Sequence, residues 1–181
     1  GYTHHAIQDY ALMRSFPNML IASPGDVMEL RSCMDYLTKH PQPSYLRLEK
    51  SSIYQIHKKK PKLSPGKWIK VWESSKKSKR KSIYLSTGAV IEFIEKKIKD
   101  KKYQPRSLYS LPLWGMKYKN NQERNIKKFY TIDVVEDHLN DGGFQSWLKE
   151  CIYISKLCSK SLNKKVISQV GSKDYLMNFL K

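Results

Sequence analysis

The sequence predicts an α/β fold: a mostly parallel sheet with helices on both faces. Two observations carry this. Short apolar runs alternate with stretches whose apolar residues recur at three- and four-residue spacing, and the segments between them are rich in Gly, Pro, Ser and Lys. The 181 residues, 40% hydrophobic and 12% aromatic, hold enough apolar sequence for a real core and too much for a disordered chain.

The elements follow in order. Met19-Leu20-Ile21-Ala22 is a buried strand. Ser23-Pro24-Gly25-Asp26 starts a helix, with Ser23 as cap, Pro24 at the first helical position and Asp26 at the positive end. Val27, Leu30, Met34 and Leu37 mark its apolar face, and it stops near His40-Pro41. Ser44 to Leu48 is the next strand. From about 51 to 65 the pattern dissolves into Ser, Lys, His and prolines, which reads as a surface linker. Trp68, Val71 and Trp72 then lie in an edge-like strand. A strand is expected at 82–87, a helix at 88–99 with Ile91, Ile94 and Ile98 on one face, a strand at 108–111, a polar helix at 121–128 and a strand at 130–135. The longest helix is expected at 143–158, a last strand at 165–168 and a last helix at 174–180. The first fifty residues hold too few elements for a sheet with both faces covered. They read as the back part of something larger, with an open edge that calls for a dimer or a tight partner.

The formal charge is +18 and the isoelectric point about 9.8. Lysine supplies 28 of the 34 basic residues and arginine 6. Base reading and bidentate phosphate grips lean on arginine, so the surplus reads as a solvated surface and not as a nucleic-acid face. No run approaches the ~20 apolar residues of a membrane span, and no basic segment followed by an apolar one opens the chain as a secretory signal would. Cys33, Cys151 and Cys158 lack metal-ligand spacing. They are expected as buried, reduced thiols of a cytoplasmic protein, with Cys151 and Cys158 on one helical face.

Thr3-His4-His5 is the most suggestive polar cluster. Adjacent histidines do not form a metal pair by spacing, but one helical turn could bring His5 to Asp9 and fix an imidazole tautomer. Arg47 and Lys50 close the strand Leu46-Arg47-Leu48-Glu49-Lys50. Glu136-Asp137-His138 with Gly142-Gly143 reads as a strand end, a loop and a helix start, for which a structural role is the main expectation.

The stretch from Gly1 to Met19, G-Y-T-H-H-A-I-Q-D-Y-A-L-M-R-S-F-P-N-M, resembles the G-x-T-H-H-x-x-x-D-x-x-x-x-R-x-x-P-N-M segment of the transketolase family. Pro24-Gly25-Asp26-Val27-Met28-Glu29 resembles its P-x-D-x-x-E helix start. Val135-Glu136-Asp137-His138 with Gly142-Gly143-Phe144-Gln145-Ser146 resembles its V-E-x-H…G-G-F-x-S signature. The similarity runs in order over roughly residues 1–150.

The resemblance implies a thiamine-diphosphate enzyme that transfers a two-carbon ketol unit between sugars. This chain would hold the tail of the pyrimidine-binding domain (1–51), a linker (52–66) and the carboxy-terminal domain (67–181). It implies His4 as the catalytic residue by the reacting end of the cofactor, with His5 and Asp9 in support. Arg47 or Lys50 falls at the substrate phosphate-binding position, depending on the alignment. Glu136, His138, Gly142 and Gly143 fall in a loop near subunit contacts. The family's G-D-G…N motif for Mg²⁺ and diphosphate is not in this sequence. The cofactor and Mg²⁺ would therefore be bound mainly by an amino-terminal part or subunit, in a homo-oligomer or heterotetramer, with a sugar or sugar phosphate as substrate. A 1-deoxyxylulose-5-phosphate synthase-like enzyme is the rival within the family; a non-catalytic regulatory or basic binding module is the rival outside it.

Overall fold

The computed structural model describes residues 6–49, 54–75, 81–151 and 157–181. His4, His5 and Lys50 lie outside the described residues.

Two sheets make up the fold. In the first, β1 (Leu20–Ala22) is the middle strand, parallel to β2 (Ser44–Leu46) and antiparallel to β6 (Leu113–Trp114). The second has the order β3-β5-β4-β7-β8, with β3 (Ile69–Trp72), β4 (Ser82–Ser86), β5 (Ser107–Ser110), β7 (Thr131–Leu139) and β8 (Leu157–Leu162). All of its pairs are parallel except β3 with β5. The centre of that sheet is buried on both faces, which is why Ile83-Tyr84-Leu85 and Ile132 to Val135 carry apolar residues almost without a break.

The helices are α1 (Asp9–Arg14), α2 (Val27–Lys39), α3 (Val90–Lys99), α4 (Gln122–Lys127), α5 (Phe144–Lys149) and α6 (Lys173–Leu176). α3 buries Val90, Ile91 and Ile94 and ends on Lys96, Lys97 and Lys99, cations that suit the negative end of its dipole. One apolar core joins Tyr10 and Ile21 of the first unit to Leu85, Trp114, Phe144 and Trp147 of the second. A second core on the opposite face joins Ile7 to Tyr84, Ile91, Leu139 and Leu176.

Several expectations need correction. α2 is capped by Asp26, whose carboxylate accepts from Glu29 N at 2.8 Å, while Ser23 turns away to Tyr10. The strand expected to end at 135 continues as β7 through Leu139, so Glu136, Asp137 and His138 are strand residues. The helix expected at 143–158 stops at Lys149, and Leu157–Leu162 is strand β8. Cys151 and Cys158 therefore share no helical face, and Cys158 is exposed; Cys33 is buried. Lys164–Ser168, expected as a strand, forms a 3-10 turn. The described part of the linker is irregular but docked: Tyr54 O accepts from Val27 N at 3.2 Å, and Leu63 is buried.

Candidate functional site

The carboxyl ends of β1, β2 and β7 converge where the two sheets meet. Ser23 follows β1, Arg47 follows β2, and Asp137 lies near the end of β7. Such ends are where open α/β sheets place ligands. A cleft of about 350 Å³ opens there, lined by Ala6, Ser23, Tyr45, Arg47, Glu49 and Lys173 among others.

Arg47 is the hub. Its Nε lies 2.9 Å from Asp9 Oδ2, and its Nη1 donates to Asp137 Oδ1 at 2.5 Å and to Tyr10 Oη at 2.9 Å. Its Nη2 donates to Ala6 O and, at 3.5 Å, to Asp137 O. The guanidinium carbon sits 4.5 Å from the centre of the Tyr10 ring. Burial opposes charge on Arg47, but Asp137, Tyr10 and Asp9 outweigh it and hold the group well above its ordinary value. Burial would likewise raise Asp137, yet Arg47 and Lys173 keep its carboxyl below the usual range. Asp9 is raised, because burial exceeds what Arg47 and the Tyr45 hydroxyl, 2.9 Å from Oδ2, offer. Its Oδ1 is buried with no hydrogen-bond partner among the described residues.

The period of a strand sends alternate residues to opposite faces. Glu136 and His138 thus face away from Asp137, toward Gly142-Gly143. Glu136 Oε2 accepts from Phe144 N at 2.7 Å, and burial pushes its carboxyl up to about 8 against the hydrogen bonds from the Phe144 and Gln145 amides. His138 Nδ1 faces Leu139 O at 2.7 Å and Nε2 accepts from Ala11 N at 3.4 Å, the pattern of a neutral ring protonated on Nδ1. Burial, the largest influence, lowers its pKa. The ring stacks on Tyr10 at 5.4 Å. Gly142 has φ +81, and its O accepts from Arg14 Nε at 2.6 Å. A Cβ on Gly143 would stand 2.5 Å from Glu136 Oε2 and 2.6 Å from His138 Nδ1. The signature Glu136, His138, Gly142 and Gly143 thus seats α1 against the second sheet within one chain.

A second buried polar cluster ties down the linker. Asp26 Oδ2 meets His57 Nδ1 at 3.0 Å and accepts from the amides of Ile56 and His57. Glu29 Oε2 accepts from Gly25 N at 2.7 Å and Ser110 Oγ at 3.1 Å, and its Oε1 lies 4.0 Å from His57 Nδ1. Burial pushes Glu29 up to about 7. Burial would raise Asp26 too, but hydrogen bonds from His57 and from the Glu29, His57 and Ile56 amides bring it down to about 2. His57 is raised: burial lowers it, but Asp26 and Glu29 exceed that.

Of the residues named from the sequence, the structure brings Asp9 and Arg47 together and places Glu136, His138, Gly142 and Gly143 behind them. Sequence reasoning gave no role to Tyr10, Asp137, Tyr45, Lys173 or His57. For Asp137 a signal existed, its alternation with Glu136 and His138.

No protein-family model matches the chain. It is 31% identical over 154 residues to one of the subunits of apulose-4-phosphate transketolase from Actinobacillus succinogenes, covering 83% of this chain and 47% of that protein. It is 25% identical over 156 residues to 1-deoxy-D-xylulose-5-phosphate synthase of Thermus thermophilus, covering 84% and 23%. Among solved structures, a split-gene transketolase, described as an inactive β4 tetramer, superposes with a TM-score of 0.73 at 20% identity, over 91% of this chain and 55% of that one. A Pichia stipitis transketolase in complex with sedoheptulose 7-phosphate gives 0.64 at 19%, over 91% and 23%. The chain thus spans about half the length of its Actinobacillus succinogenes relative and about a quarter of the synthase, and its fold is that of the transketolase carboxy-terminal region.

Proposed function

We propose, from the premise that this chain is transketolase-like in sequence and fold, that it is the carboxy-terminal part or subunit of a thiamine-diphosphate-dependent cytoplasmic transferase moving a two-carbon ketol unit between sugars. The observation that carries this is the 31% identity, over 83% of the chain, to one subunit of a two-part transketolase name-bearer, the apulose-4-phosphate enzyme.

The donor set here does not fit a Mg²⁺-diphosphate. Among the described residues no group of three or more His, Cys, Asp or Glu could hold a metal ion. That half of the site falls to an amino-terminal partner, in a homo-oligomer or heterotetramer. This chain's own share is the segment that runs into Ala6 and the cleft. His4 is the catalytic residue: a neutral imidazole that hydrogen-bonds a carbonyl or hydroxyl of the donor sugar and moves a proton there. His5 and Asp9 support it. Lys50 offers a phosphate group a point charge, without the bidentate grip of an arginine.

The test is reconstitution. The chain alone should show no Mg²⁺-dependent binding of thiamine diphosphate by calorimetry, and the assembly with its partner should bind it and transfer two-carbon units. In that assembly His4→Ala should lower kcat/KM by about one to three orders of magnitude, and His5→Ala by less. Unchanged turnover in both variants would favour the non-catalytic subunit. The synthase relatives support a second reading, 1-deoxyxylulose-5-phosphate synthase-like chemistry, which identification of the product separates from the first.

A further inference from the structure

We infer that Arg47 is a positioning residue that locks the two units of the chain together, and not a ligand of the substrate phosphate. A guanidinium has five N–H donors. Arg47 directs all five at protein acceptors: Asp9, Tyr10, Asp137 Oδ1, Asp137 O and Ala6 O. A phosphate would have to displace one of these buried partners. The charge argues the same way. One guanidinium faced by two carboxylates leaves the node negative or, with Asp9 protonated, neutral. Neither state attracts a dianion.

The partners show what the node does instead. Ala6 and Asp9 bracket the start of α1, Tyr10 is fully buried beneath the guanidinium, and Asp137 belongs to β7 of the second sheet. Arg47 thus fixes the backbone at Ala6, directly after Thr3-His4-His5, against an element far along the chain. A misplacement of about 1 Å at a reacting group can cost on the order of a hundredfold in rate. The link from this clamp to catalysis rests on the function proposed above; the clamp itself does not.

The experiment has two arms, each with wild type, Arg47→Lys, Asp137→Asn and the double variant. In the first, thermal and urea unfolding of the full chain is followed by fluorescence. Lysine offers three donors on a flexible stem and cannot reproduce the fork. Each single variant should lower Tm by several degrees, and the double variant should fall no further than the worse single one. Additive losses would overturn the clamp whatever the protein's function. Asp9→Asn, which retains an acceptor for Nε, provides a milder member of the series should Arg47→Lys fail to fold; it should also be non-additive with Asp137→Asn. In the second arm, the assembled enzyme is assayed with a phosphorylated and an unphosphorylated donor and with inorganic phosphate as inhibitor. The expected result is a kcat about tenfold or more lower for both donors, with phosphate inhibition unchanged within about twofold. A KM raised for the phosphorylated donor alone, with phosphate inhibition abolished in Arg47→Lys, would restore Arg47 as the phosphate ligand. Absence of turnover in wild type would fail the proposed function and leave the first arm to decide the clamp.

Discussion

Two buried ionic clusters hold the first fifty residues to the rest of the chain, and they are built on different cations. The α1–β7 joint centres on Arg47 between Asp9 and Asp137. The linker joint centres on His57 beside Asp26 and Glu29. Arginine stays charged across the physiological range and spans two carboxylates with a rigid fork. Histidine gains or loses its charge near neutrality. The first joint is suited to constant geometry beside a cleft, and the second ties a connecting segment down to a degree that follows pH.

Three perturbations would break or sharpen that contrast. The largest effect is expected from Gly143→Ala at the arginine joint. Its Cβ would intrude on Glu136 and His138, which are buried strand residues with no room to retreat, at a cost of about 3 kcal/mol, measurable by urea unfolding. A cost below about 1 kcal/mol would mean that the joint yields, and the claim of constant geometry would fall.

Asp26→Ala should come next, at about 2 kcal/mol, because it removes the α2 cap and the acceptor of His57 together. Hydrogen exchange should then accelerate at the amides of Ile56 and His57 and leave the α1–β7 joint unchanged. Equal acceleration at both joints would show one cooperative unit in place of two.

The smallest effect concerns pH. His57, with its pKa raised in the fold, adds stability that is complete below about 6.5 and fades as pH rises through its folded value. Glu29 and Glu136 hold protons in the fold up to about 7 and about 8, while the unfolded chain has already released them. The native state therefore binds more protons, and stability falls with pH. His138 works the other way, but only below about 6.5. Stability should thus decline from pH 6.5 to 8. Glu29→Gln with His57→Asn should flatten the slope, leaving the share of Glu136. A slope unchanged in that double variant would remove the pH dependence assigned to the linker joint.

Much of the fold was legible because local pattern and tertiary demand agree. The buried strand at Leu20–Ala22, the face of α2 and the β4–α3 unit all announce themselves in apolar spacing. The chain after Lys149 misled for a physical reason. Cys151, Ile154 and Cys158 mimic helical spacing, but Leu157–Leu162 pairs with β7 as a half-buried strand at the sheet's edge, where polar residues are tolerated. Val166 and Ile167 favour a strand by branching, yet sit in a 3-10 turn beside it. The site divides in the same way. Asp9, Arg47 and the Glu136–Gly143 signature could be named singly, but nothing in sequence spacing says that Arg47 reaches Asp137 across ninety positions. His4, His5 and Lys50 lie outside the described residues, so their place at the site stands as proposal.

The strand β6 comes from the second unit and pairs with β1 of the first, passing Gly115 so closely that a Cβ there would lie 2.5 Å from Met19 O. A protease that nicked the linker would therefore yield two fragments that still co-purify, held by a shared sheet and a shared core. The first fragment released on its own would be two short strands and two helices with an unpaired edge, a species prone to self-association. Any effort to express the halves separately should give Leu113 and Trp114 to both.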